Sequence, residues 1–566
     1  MSRQIRTFLR RLLGKSKNRE INPDEIFLDS SNLPEFDRDQ FEGRLEHPIP
    51  KKTQSLVLFV FGGLLVLFLI QIADLEVRQG AAFASLSEGN RLRNSIIFAE
   101  RGVLYDRNGL ELVWNEAGED AHALRVYRQM DGLGQVLGYV GYPLKDTSGV
   151  YYQKEYRGKG GAELLFNDRL EGSNGIKIQE VDALQEVTSE SITRPAEDGE
   201  NITLSVDARL NQALYRLIRD RAGESGFVGG AGVVIDVESG EVVILASYPE
   251  YAPQVLTDGE PHDLIDAYVR DPRKPFLNRV VSGLYTPGSI AKLIVASGAL
   301  MEGVITPEKK ILSTGSIRVP HPYLEDVYST FVDWKAHGWV DMREAIAYSS
   351  NVYFYEVGGG FEDQPGIGID AINTYAHLFG FGKSTGVFFG EAGGVIPNPE
   401  WKAETFNGDE WRIGDTYNTA IGQYGFQVTP IQVARAVAAI ANNGKLLTPS
   451  LEKGAPVKFE TIPIDEEYLQ VVREGMHLGA EEGSARALNT PYVSIAAKTG
   501  TAQLGVRKEF VNSWVAGFFP YEKPRYAFAI IMERGPVSNL VGASAVMRSF
   551  IEWLHREAPE YLESVN

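Results

Sequence analysis

The chain has 566 residues, of which 43% are hydrophobic, and carries a formal net charge of -19 at pH 7. A chain of this length and composition is expected to fold into two or three globular units. The acidic balance argues against a nucleic-acid partner, because phosphate binding needs clustered Lys and Arg. The sequence contains no cysteine, which excludes disulfides, thiolate metal sites and a cysteine nucleophile.

Residues 55–73 form one apolar run without a charge, SLVLFVFGGLLVLFLIQIA. A helix rises about 1.5 Å per residue, so this run spans most of a bilayer core about 30 Å thick. A soluble core helix of this length normally carries a polar stripe, and a cleaved signal peptide normally lies at the N-terminus. We therefore predict a retained transmembrane signal anchor.

The flanking charges predict the orientation of this anchor. Residues 1–19 contain seven basic and no acidic side chains, and two lysines directly precede the run, whereas Asp74 and Glu76 follow it. By the positive-inside rule, residues 1–54 form a cytoplasmic tail and everything after the anchor lies outside the cytoplasm. The tip of the tail either lies on the anionic inner leaflet or is solvated. The first alternative rests on one apolar helical face, formed by Ile5, Phe8, Leu9 and Leu12.

Residues 74–225 are rich in glycine and turn signals and have no catalytic spacing. Their first part, to about Arg93, has a helical pattern that is expected to continue the membrane helix. Further on, Asn108-Gly109 predicts a hairpin turn, and residues 202–206 alternate as a strand does. We predict an elongated, non-catalytic α+β pedestal that serves as a spacer or docking unit.

Residues 226–566 are predicted to form a second α+β domain. Two strands joined by a turn at Ser239-Gly240, and two strands near the C-terminus, are predicted at 232–236, 241–246, 514–519 and 526–531. Helical patterns fill 289–301, 342–357, 429–442 and 541–555. Strands at both ends with helices between them predict an antiparallel sheet that the C-terminus completes.

The first candidate catalytic pair is Ser289 and Lys292, in the run YTPGSIAK. A proline and a glycine precede the serine, which predicts a helix N-terminus where residues three apart share a face. Burial and a second nearby cation would lower the pKa of the lysine and allow it to take the serine proton. Alone the motif is weak, because a capping serine with a solvated lysine has the same spacing.

Two further clusters follow in a set order, Ser349-Ser350-Asn351 and Lys498-Thr499-Gly500-Thr501. The first lies in an apolar helical context, where polar side chains either pair with each other or face a cleft. The second ends an apolar run, and on an edge strand Lys498 and Gly500 would point to one face. There the glycine lets a substrate backbone approach and the lysine supplies positive charge.

The ordered triple resembles the S-x-x-K, S-x-N and K-T-G motifs of penicillin-binding proteins and serine β-lactamases. Five flanking blocks make the chain most similar to class B penicillin-binding proteins of the elongation type. These blocks are residues 285–289, 331–338, 353–355, 411–415 and 421–430. Residues 101–109 are similar to the start of the family's pedestal, so the resemblance covers about residues 55–540. It implies an anchor helix, a pedestal of the dimerisation type (74–225) and a penicillin-binding, β-lactamase-like transpeptidase domain (226–566).

The resemblance implies a serine-type D,D-transpeptidase that cross-links peptidoglycan stem peptides during cell-wall elongation. Ser289 would attack the D-Ala-D-Ala carbonyl with Lys292 as the base. Ser349 would pass the proton to the leaving amine, and Asn351 would orient the substrate. β-Lactams would acylate the same serine.

The third motif is implied to bind the substrate. Lys498, Thr499, Gly500 and Thr501 would hold the terminal carboxylate. The backbone N–H groups of Ser289 and Thr501 would form the oxyanion hole, whose donors are typically worth about 3–4 kcal/mol each. No cofactor is implied.

Other functions of the same fold remain as alternatives. A β-lactam sensor would need a signalling domain, for which residues 1–54 are too short, and a β-lactamase or carboxypeptidase would need neither pedestal nor anchor. The pedestal has no paired carboxylates for glycosyl transfer, so the enzyme is expected to be monofunctional. The expected partners are the bacterial cytoplasmic membrane, a glycosyltransferase of the shape-elongation-division-sporulation (SEDS) class and other elongation-complex proteins.

The chain departs from the family pattern at two positions. Tyr424 stands where the family usually has a second glycine, and Ser350 stands where some relatives carry cysteine. Some elongation-type relatives bind zinc near the site, and Asp326, Asp333 and His337 are similar to those ligands. Without a thiol, we expect no metal.

Overall fold

The computed structural model of the protein describes residues 50–83, 92–118, 121–181, 187–320, 326–505, 507–539 and 541–563. The chain divides into two compact units, of which the first ends at Arg91 and the second comprises Leu92–Asn566. Most of the predicted pedestal therefore shares one unit with the predicted catalytic domain.

The predicted membrane run lies within helix α1 (Lys51–Ala73), and a π-helical turn, Asp74–Arg78, follows it. Together they form a helix of 28 residues, within which an 18-residue stretch has a mean hydropathy of 2.8, so the helix is long and apolar enough to cross a membrane. The predicted helical continuation to Arg93 is wrong at its end, because Leu92 already begins a strand whose pairing overrides the local pattern. Residues 1–49, with the basic tail and its apolar face, lie outside the described residues.

Short strands and short helices build the part of the pedestal that lies in the second unit. The strands are β1 (Leu92–Ile97), β2 (Leu104–Tyr105), β3 (Glu111–Glu116), β4 (Leu124–Tyr127), β5 (Val140–Gly141), β6 (Leu144–Lys145), β7 (Tyr151–Gln153), β8 (Arg157–Gly158), β9 (Gly175–Val181), β10 (Val187–Arg194) and β11 (Ile202–Thr203). The helices are α2 (Gly134–Leu137), α3 (Gly161–Leu165) and α4 (Asn167–Leu170). One sheet has the order β1-β9-β10 and another the order β11-β2-β3-β4.

Two local predictions for the pedestal are confirmed. Strands β2 and β3 pair antiparallel across the turn at Asn108-Gly109, where Gly109 has φ 85°. Strand β11 lies inside the predicted strand 202–206 and pairs parallel with β2.

A buried ion triad joins the strands and helices of the pedestal. Glu163 of α3 accepts hydrogen bonds from Arg101 Nε at 2.6 Å and from Arg125 Nε at 2.8 Å, and all three side chains are fully buried. Burial alone would raise the pKa of Glu163, but Arg125 and then Arg101 bring it below its usual range. The carboxylate therefore stays charged and holds α3 against the sheet.

The rest of the second unit alternates helices and strands. The helices are α5 (Ala208–Ser225), α6 (Pro253–Asp258), α7 (His262–Arg270), α8 (Lys292–Met301), α9 (Met342–Tyr348), α10 (Asn351–Gly359), α11 (Gly368–Leu378), α12 (Pro399–Thr405), α13 (Ile413–Ala420), α14 (Pro430–Ala441), α15 (Glu466–Glu481) and α16 (Ala543–Glu557). The strands are β12 (Gly229–Asp236), β13 (Val242–Tyr248), β14 (Ile311–Ser313), β15 (Ser316–Pro320), β16 (Tyr328–Val332), β17 (Gly338–Val340), β18 (Lys445–Leu447), β19 (Phe459–Thr461), β20 (Ala496–Leu504), β21 (Phe510–Phe519) and β22 (Tyr526–Pro536).

A five-stranded antiparallel sheet with the order β13-β12-β22-β21-β20 forms the centre of this part. The predicted hairpin is the pair β12–β13, and the predicted C-terminal strands lie in β21 and β22. Strand β20, which carries Lys498-Thr499-Gly500, lies at the edge of the sheet, where the side chains of Lys498 and Gly500 were expected to share one face. The α+β fold with a sheet completed by the C-terminus is confirmed.

Helices cover both faces of this sheet. Helix α5 begins where Asp207 accepts hydrogen bonds from two backbone N–H groups, and it ends at Gly226 with φ 69°. Its buried face packs on one side of the sheet together with α16, while α14 packs on the other side. Gly232 of β12 permits close packing, since a β-carbon there would lie 2.6 Å from the Leu214 side chain.

Candidate active site

The predicted nucleophile Ser289 is half-buried on a 3-10 turn, Gly288–Ile290, that leads into α8. Gly288 has φ 54°, and a β-carbon there would lie 2.8 Å from the carbonyl oxygen of Thr501 in β20. The glycine before the serine is therefore required both by the backbone conformation and by the contact with the edge strand. This contact brings the first and third motifs together.

Lys292 connects the first motif to the second. Its side chain is fully buried at the start of α8. The ammonium group donates to Asn351 Oδ1 at 2.7 Å, to the Ser349 carbonyl oxygen at 2.8 Å and to Ser349 Oγ at 3.3 Å. Among the described residues, it makes no hydrogen bond to Ser289. Catalytic hydrogen bonds of this kind often form only when substrate is bound.

The second motif interrupts a helix. The sequence predicted one helix over 342–357, which is wrong, because Ser349 has φ 61° and separates α9 from α10. Ser350 then caps α10, accepting a hydrogen bond from the Tyr353 N–H. The break aims the Ser349 hydroxyl and the Asn351 amide at the same lysine.

Asp333 holds this break in place. Its Oδ2 accepts from the N–H groups of Asn351 at 2.7 Å and Val352 at 3.0 Å, and from Ser350 Oγ at 3.0 Å. A carboxylate at a helix N-terminus satisfies donors that have no partner within the helix. Asp333 therefore orients the second motif, a role that the sequence analysis missed. Its distance of 18 residues from Asn351 left no local capping signal.

The third motif supplies a second buried lysine. Lys498 of β20 is fully buried and donates to Ser349 Oγ at 2.8 Å and to the Thr499 carbonyl oxygen at 2.9 Å. Thr499 Oγ1 donates to Ser484 Oγ at 2.8 Å, and Thr501 is exposed. The hydroxyl of Ser349 thus lies between two lysine ammonium groups.

Both lysines titrate far from their usual range. Burial lowers the pKa of Lys292 to about 7, against the opposing influence of the Asp333 carboxylate. Burial, and then the charge of Lys292, hold the pKa of Lys498 well below its usual value. Near neutral pH the pair therefore does not hold two full positive charges.

Asp333 and His337, two of the residues similar to zinc ligands, lie near each other, but within the described part of the chain no group of three His, Asp or Glu side chains is arranged to hold a metal ion. His337 Nε2 lies 3.7 Å from Asp333 Oδ1. The other oxygen of Asp333 is committed to the N-terminus of α10, and Ser350 offers a hydroxyl that is already hydrogen-bonded.

Two family models match the chain. The penicillin binding protein transpeptidase domain matches residues 230–552, which is more than half of the chain, and the penicillin-binding protein dimerisation domain matches residues 119–204. The chain therefore belongs to the penicillin-binding protein transpeptidases.

Comparison with individual relatives shows which members of this family the chain resembles in sequence and structure. The peptidoglycan D,D-transpeptidase MrdA of Acinetobacter baumannii is 32% identical over 444 residues, an alignment that spans 73% of this chain and 63% of the relative. A solved complex between penicillin-binding protein PBP2 and MreC from Helicobacter pylori matches with 27% identity and a TM-score of 0.70, over 82% of this chain and 99% of that one. A chain of a solved peptidoglycan synthase complex matches with 25% identity and a TM-score of 0.70, over 91% of this chain and 99% of the matched chain. The resemblance to elongation-type class B proteins is confirmed, and within that class the chain is similar to penicillin-binding protein 2.

Proposed function

We propose that this protein is a monofunctional serine D,D-transpeptidase that cross-links peptidoglycan stem peptides ending in D-Ala-D-Ala, with Ser289 as its nucleophile. The observation that carries the proposal is the position of Ser349 Oγ, 2.8 Å from Lys498 Nζ and 3.3 Å from Lys292 Nζ. A hydroxyl in that position can pass a proton between a base and a leaving group. Family membership supports the same reaction.

Acylation begins when the Ser289 oxygen forms a bond to the carbonyl carbon of the penultimate D-Ala and its proton passes to Lys292. With a pKa of about 7, Lys292 is partly neutral near neutral pH and can accept that proton. The bond from the carbonyl carbon to the D-Ala nitrogen then breaks, and the leaving amine receives a proton through Ser349. Asn351, held by Lys292, is proposed to orient the substrate amide.

Lys498 is proposed to bind the terminal carboxylate together with Thr499, Gly500 and Thr501. A carboxylate beside Lys498 favours its ammonium form. Repulsion between the two lysines then favours neutral Lys292, because the two sites titrate as a coupled pair. Substrate binding would therefore produce the two protonation states that acylation requires.

The negative charge that develops on the carbonyl oxygen is proposed to be stabilised by the backbone N–H groups of Ser289 and Thr501. The close packing of Gly288 against the Thr501 backbone supports this assignment. Each donor of such an oxyanion hole is typically worth about 3–4 kcal/mol.

The second half-reaction resolves the acyl-enzyme. The amine of a neighbouring stem peptide attacks the ester carbonyl, the bond to the Ser289 oxygen breaks, and the serine recovers its proton. In a β-lactamase or carboxypeptidase, water would take the place of that amine.

We infer that α1 anchors the protein in the bacterial cytoplasmic membrane with the N-terminus in the cytoplasm. The basic residues before α1 and the acidic residues after it support this orientation. We further propose that the protein works in cell-wall elongation with a SEDS-class glycosyltransferase and other elongation-complex proteins. The similarity to PBP2 bound to MreC and to a peptidoglycan synthase complex supports these partners.

The nucleophile can be tested by intact-mass analysis of the full-length protein after exposure to penicillin, followed by mapping of the acylated peptide. The expected result is one adduct per chain, on Ser289, and none in Ser289→Ala. Ser297→Ala is a matched control in α8, the helix that follows Ser289, because the Ser297 hydroxyl donates to the Leu293 carbonyl oxygen of its own helix.

Two outcomes would contradict this proposal. Labelling that persists in Ser289→Ala would refute the nucleophile. Rapid loss of the adduct, with release of hydrolysed penicillin, would favour hydrolase activity over cross-linking.

A further inference from the structure

The loop that follows α13 touches the turn that carries Ser289 at two points. The Gly288 N–H donates to the Gly422 carbonyl oxygen at 3.0 Å, and Tyr285 and Val428 exchange two backbone hydrogen bonds of 3.0 and 2.9 Å. A β-carbon on Gly422 would lie 2.1 Å from the Gly288 carbonyl oxygen. The backbone of the loop thus lies directly against the turn, so any shift of the loop is transmitted to Ser289.

Tyr424, in the middle of this loop, has an unfavourable backbone conformation. Its φ of 60° lies in the left-handed region, and the glycines Gly422 and Gly425 on either side have φ 71° and 82°. A bulky residue with positive φ is uncommon, and it persists only where the surroundings impose it. The side chain of Tyr424 must therefore be held by its neighbours.

Three aromatic rings hold it. The Tyr424 ring packs edge-on against Trp401 and Trp411, with centroid distances of 5.8 Å to each, and stacks on Phe406 at 6.3 Å. We call these three residues the aromatic box. Trp401 also fills the space beside Gly425, where a β-carbon would lie 2.4 Å from the indole ring.

A buried lysine ties the aromatic box to α13. Lys402 Nζ donates to Asp415 Oδ2 at 2.7 Å and to the Glu410 carbonyl oxygen at 2.5 Å, and pairs with Asp409 at 3.0 Å. Asp415 Oδ2 also accepts from the Arg412 N–H at 2.7 Å, at the start of α13. The box is thereby fixed to the helix whose end leads into the loop.

We infer that Tyr424 is a positioning residue for the nucleophile. Its ring, locked in the aromatic box, keeps the loop in the conformation that places the Gly422 carbonyl against the Gly288 N–H and thereby sets the direction of the Ser289 hydroxyl. The inference rests on the proposed function, in which Ser289 is the nucleophile.

The substitution Tyr424→Gly tests this inference, because glycine adopts φ near 60° without strain and the loop can keep its backbone path. Full-length protein is exposed to fluorescent penicillin, and three quantities are measured: the maximal acylation rate, the dissociation constant of the non-covalent complex and the final labelled fraction. We expect the maximal rate to fall by about 10- to 100-fold, as a misplaced reacting group does, with the other two quantities unchanged. Tyr424→Phe, which retains the ring, should stay within about twofold of the unmodified protein.

A matched control is Glu362→Gly, at an exposed residue with φ 47° outside the site, which should leave all three quantities unchanged. Phe406→Ala opens the aromatic box at its exposed end and gives a second measurement if Tyr424→Gly does not fold. It too should lower the maximal rate with full labelling.

Two results would overturn the inference. One is a maximal rate within about twofold of the unmodified protein in folded Tyr424→Gly, or in Phe406→Ala where the glycine variant does not fold. The other is a reduced labelled fraction with an unchanged rate, which would mean that the ring only supports folding. If the unmodified protein is not labelled at Ser289, the proposed function itself fails, and that result is distinct from either of these.

Discussion

The pedestal and the candidate active site each bury two basic side chains, but the groups that pair with those side chains differ. In the pedestal, Arg101 and Arg125 share the carboxylate of Glu163, which stays ionised. In the candidate active site, Lys292 and Lys498 share the neutral hydroxyl of Ser349, and among the described residues neither ammonium group donates to a carboxylate. A buried cation with a paired carboxylate keeps its charge and supports the fold, whereas a buried lysine without one loses its proton readily and can act as a base.

The largest effect that tests this contrast is expected for Lys292→Met, which removes a buried charge and retains an apolar chain. The acylation rate by penicillin should fall by about 10⁴-fold, because the proposed base is lost. Thermal stability should change little, since relief from burying an ammonium group offsets the lost hydrogen bonds. Stopped-flow acylation and thermal unfolding measure the two effects. An acylation rate within about tenfold of the unmodified protein would contradict the role of Lys292.

The reverse pattern is expected for Glu163→Gln in the pedestal. Two buried guanidinium groups lose their carboxylate, which should destabilise the second unit by about 3–5 kcal/mol in denaturant unfolding. The acylation rate of the folded fraction should stay within about twofold of the unmodified protein, because the triad does not contact the site. Glu155→Gln removes the same charge at an exposed position and should leave stability unchanged. An equal loss of stability in both variants would show that the triad is not the cause.

An intermediate effect is expected for Asp333→Asn. The amide is a weaker acceptor at the N-terminus of α10, so acylation should slow by about tenfold. The pH profile provides a second measurement: in the unmodified protein, acylation should rise as pH increases through about 7, where Lys292 loses its proton. Since Asp333 favours the ammonium form of Lys292, its replacement should move the midpoint to lower pH. A midpoint that moves to higher pH would contradict the assignment of Lys292 as the base.

The smallest effect is expected for Arg169→Ala, which removes an exposed ionic contact between the pedestal and the catalytic part. Arg169 donates to Glu452 at 2.8 Å and to Glu200 at 2.7 Å, but all three side chains are solvent-accessible. Exposed ion pairs contribute little to the free energy of unfolding, so Tm should fall by less than about 2 °C. A larger fall would mean that exposed contacts, and not the buried triad, hold the pedestal in place.

Patterns of neighbouring residues were sufficient for several elements of the fold. The apolar run in α1, the hairpin β12–β13 and the capped helix α14 follow from hydrophobic periodicity and turn chemistry, which act over a few residues. Strand alternation also predicts that Lys498 and Gly500 share one face, but the edge position of β20 is set by its pairing with β21 in the sheet.

Local sequence patterns gave no correct prediction where residues distant in the sequence determine the conformation of the backbone. The sequence around Ser349 favours a continuous helix, yet Asp333 supplies the acceptors that allow α10 to begin anew at Asn351. At Leu92, pairing with β9 overrides a helical pattern. Tyr424 gives no signal of its left-handed conformation, because the three rings that impose it are 13 to 23 residues away.

The sequence by itself determined the class of chemistry to be expected: a candidate serine nucleophile, two lysines and an asparagine in an order that resembles one family, preceded by one apolar run long enough to span a membrane. Only the tertiary structure decided which groups meet, since Lys292 and Lys498 are more than 200 positions apart and converge on one hydroxyl. It also decided their charge, because the pKa of a lysine depends on its burial and on its neighbours in space, neither of which the order of residues along the chain specifies.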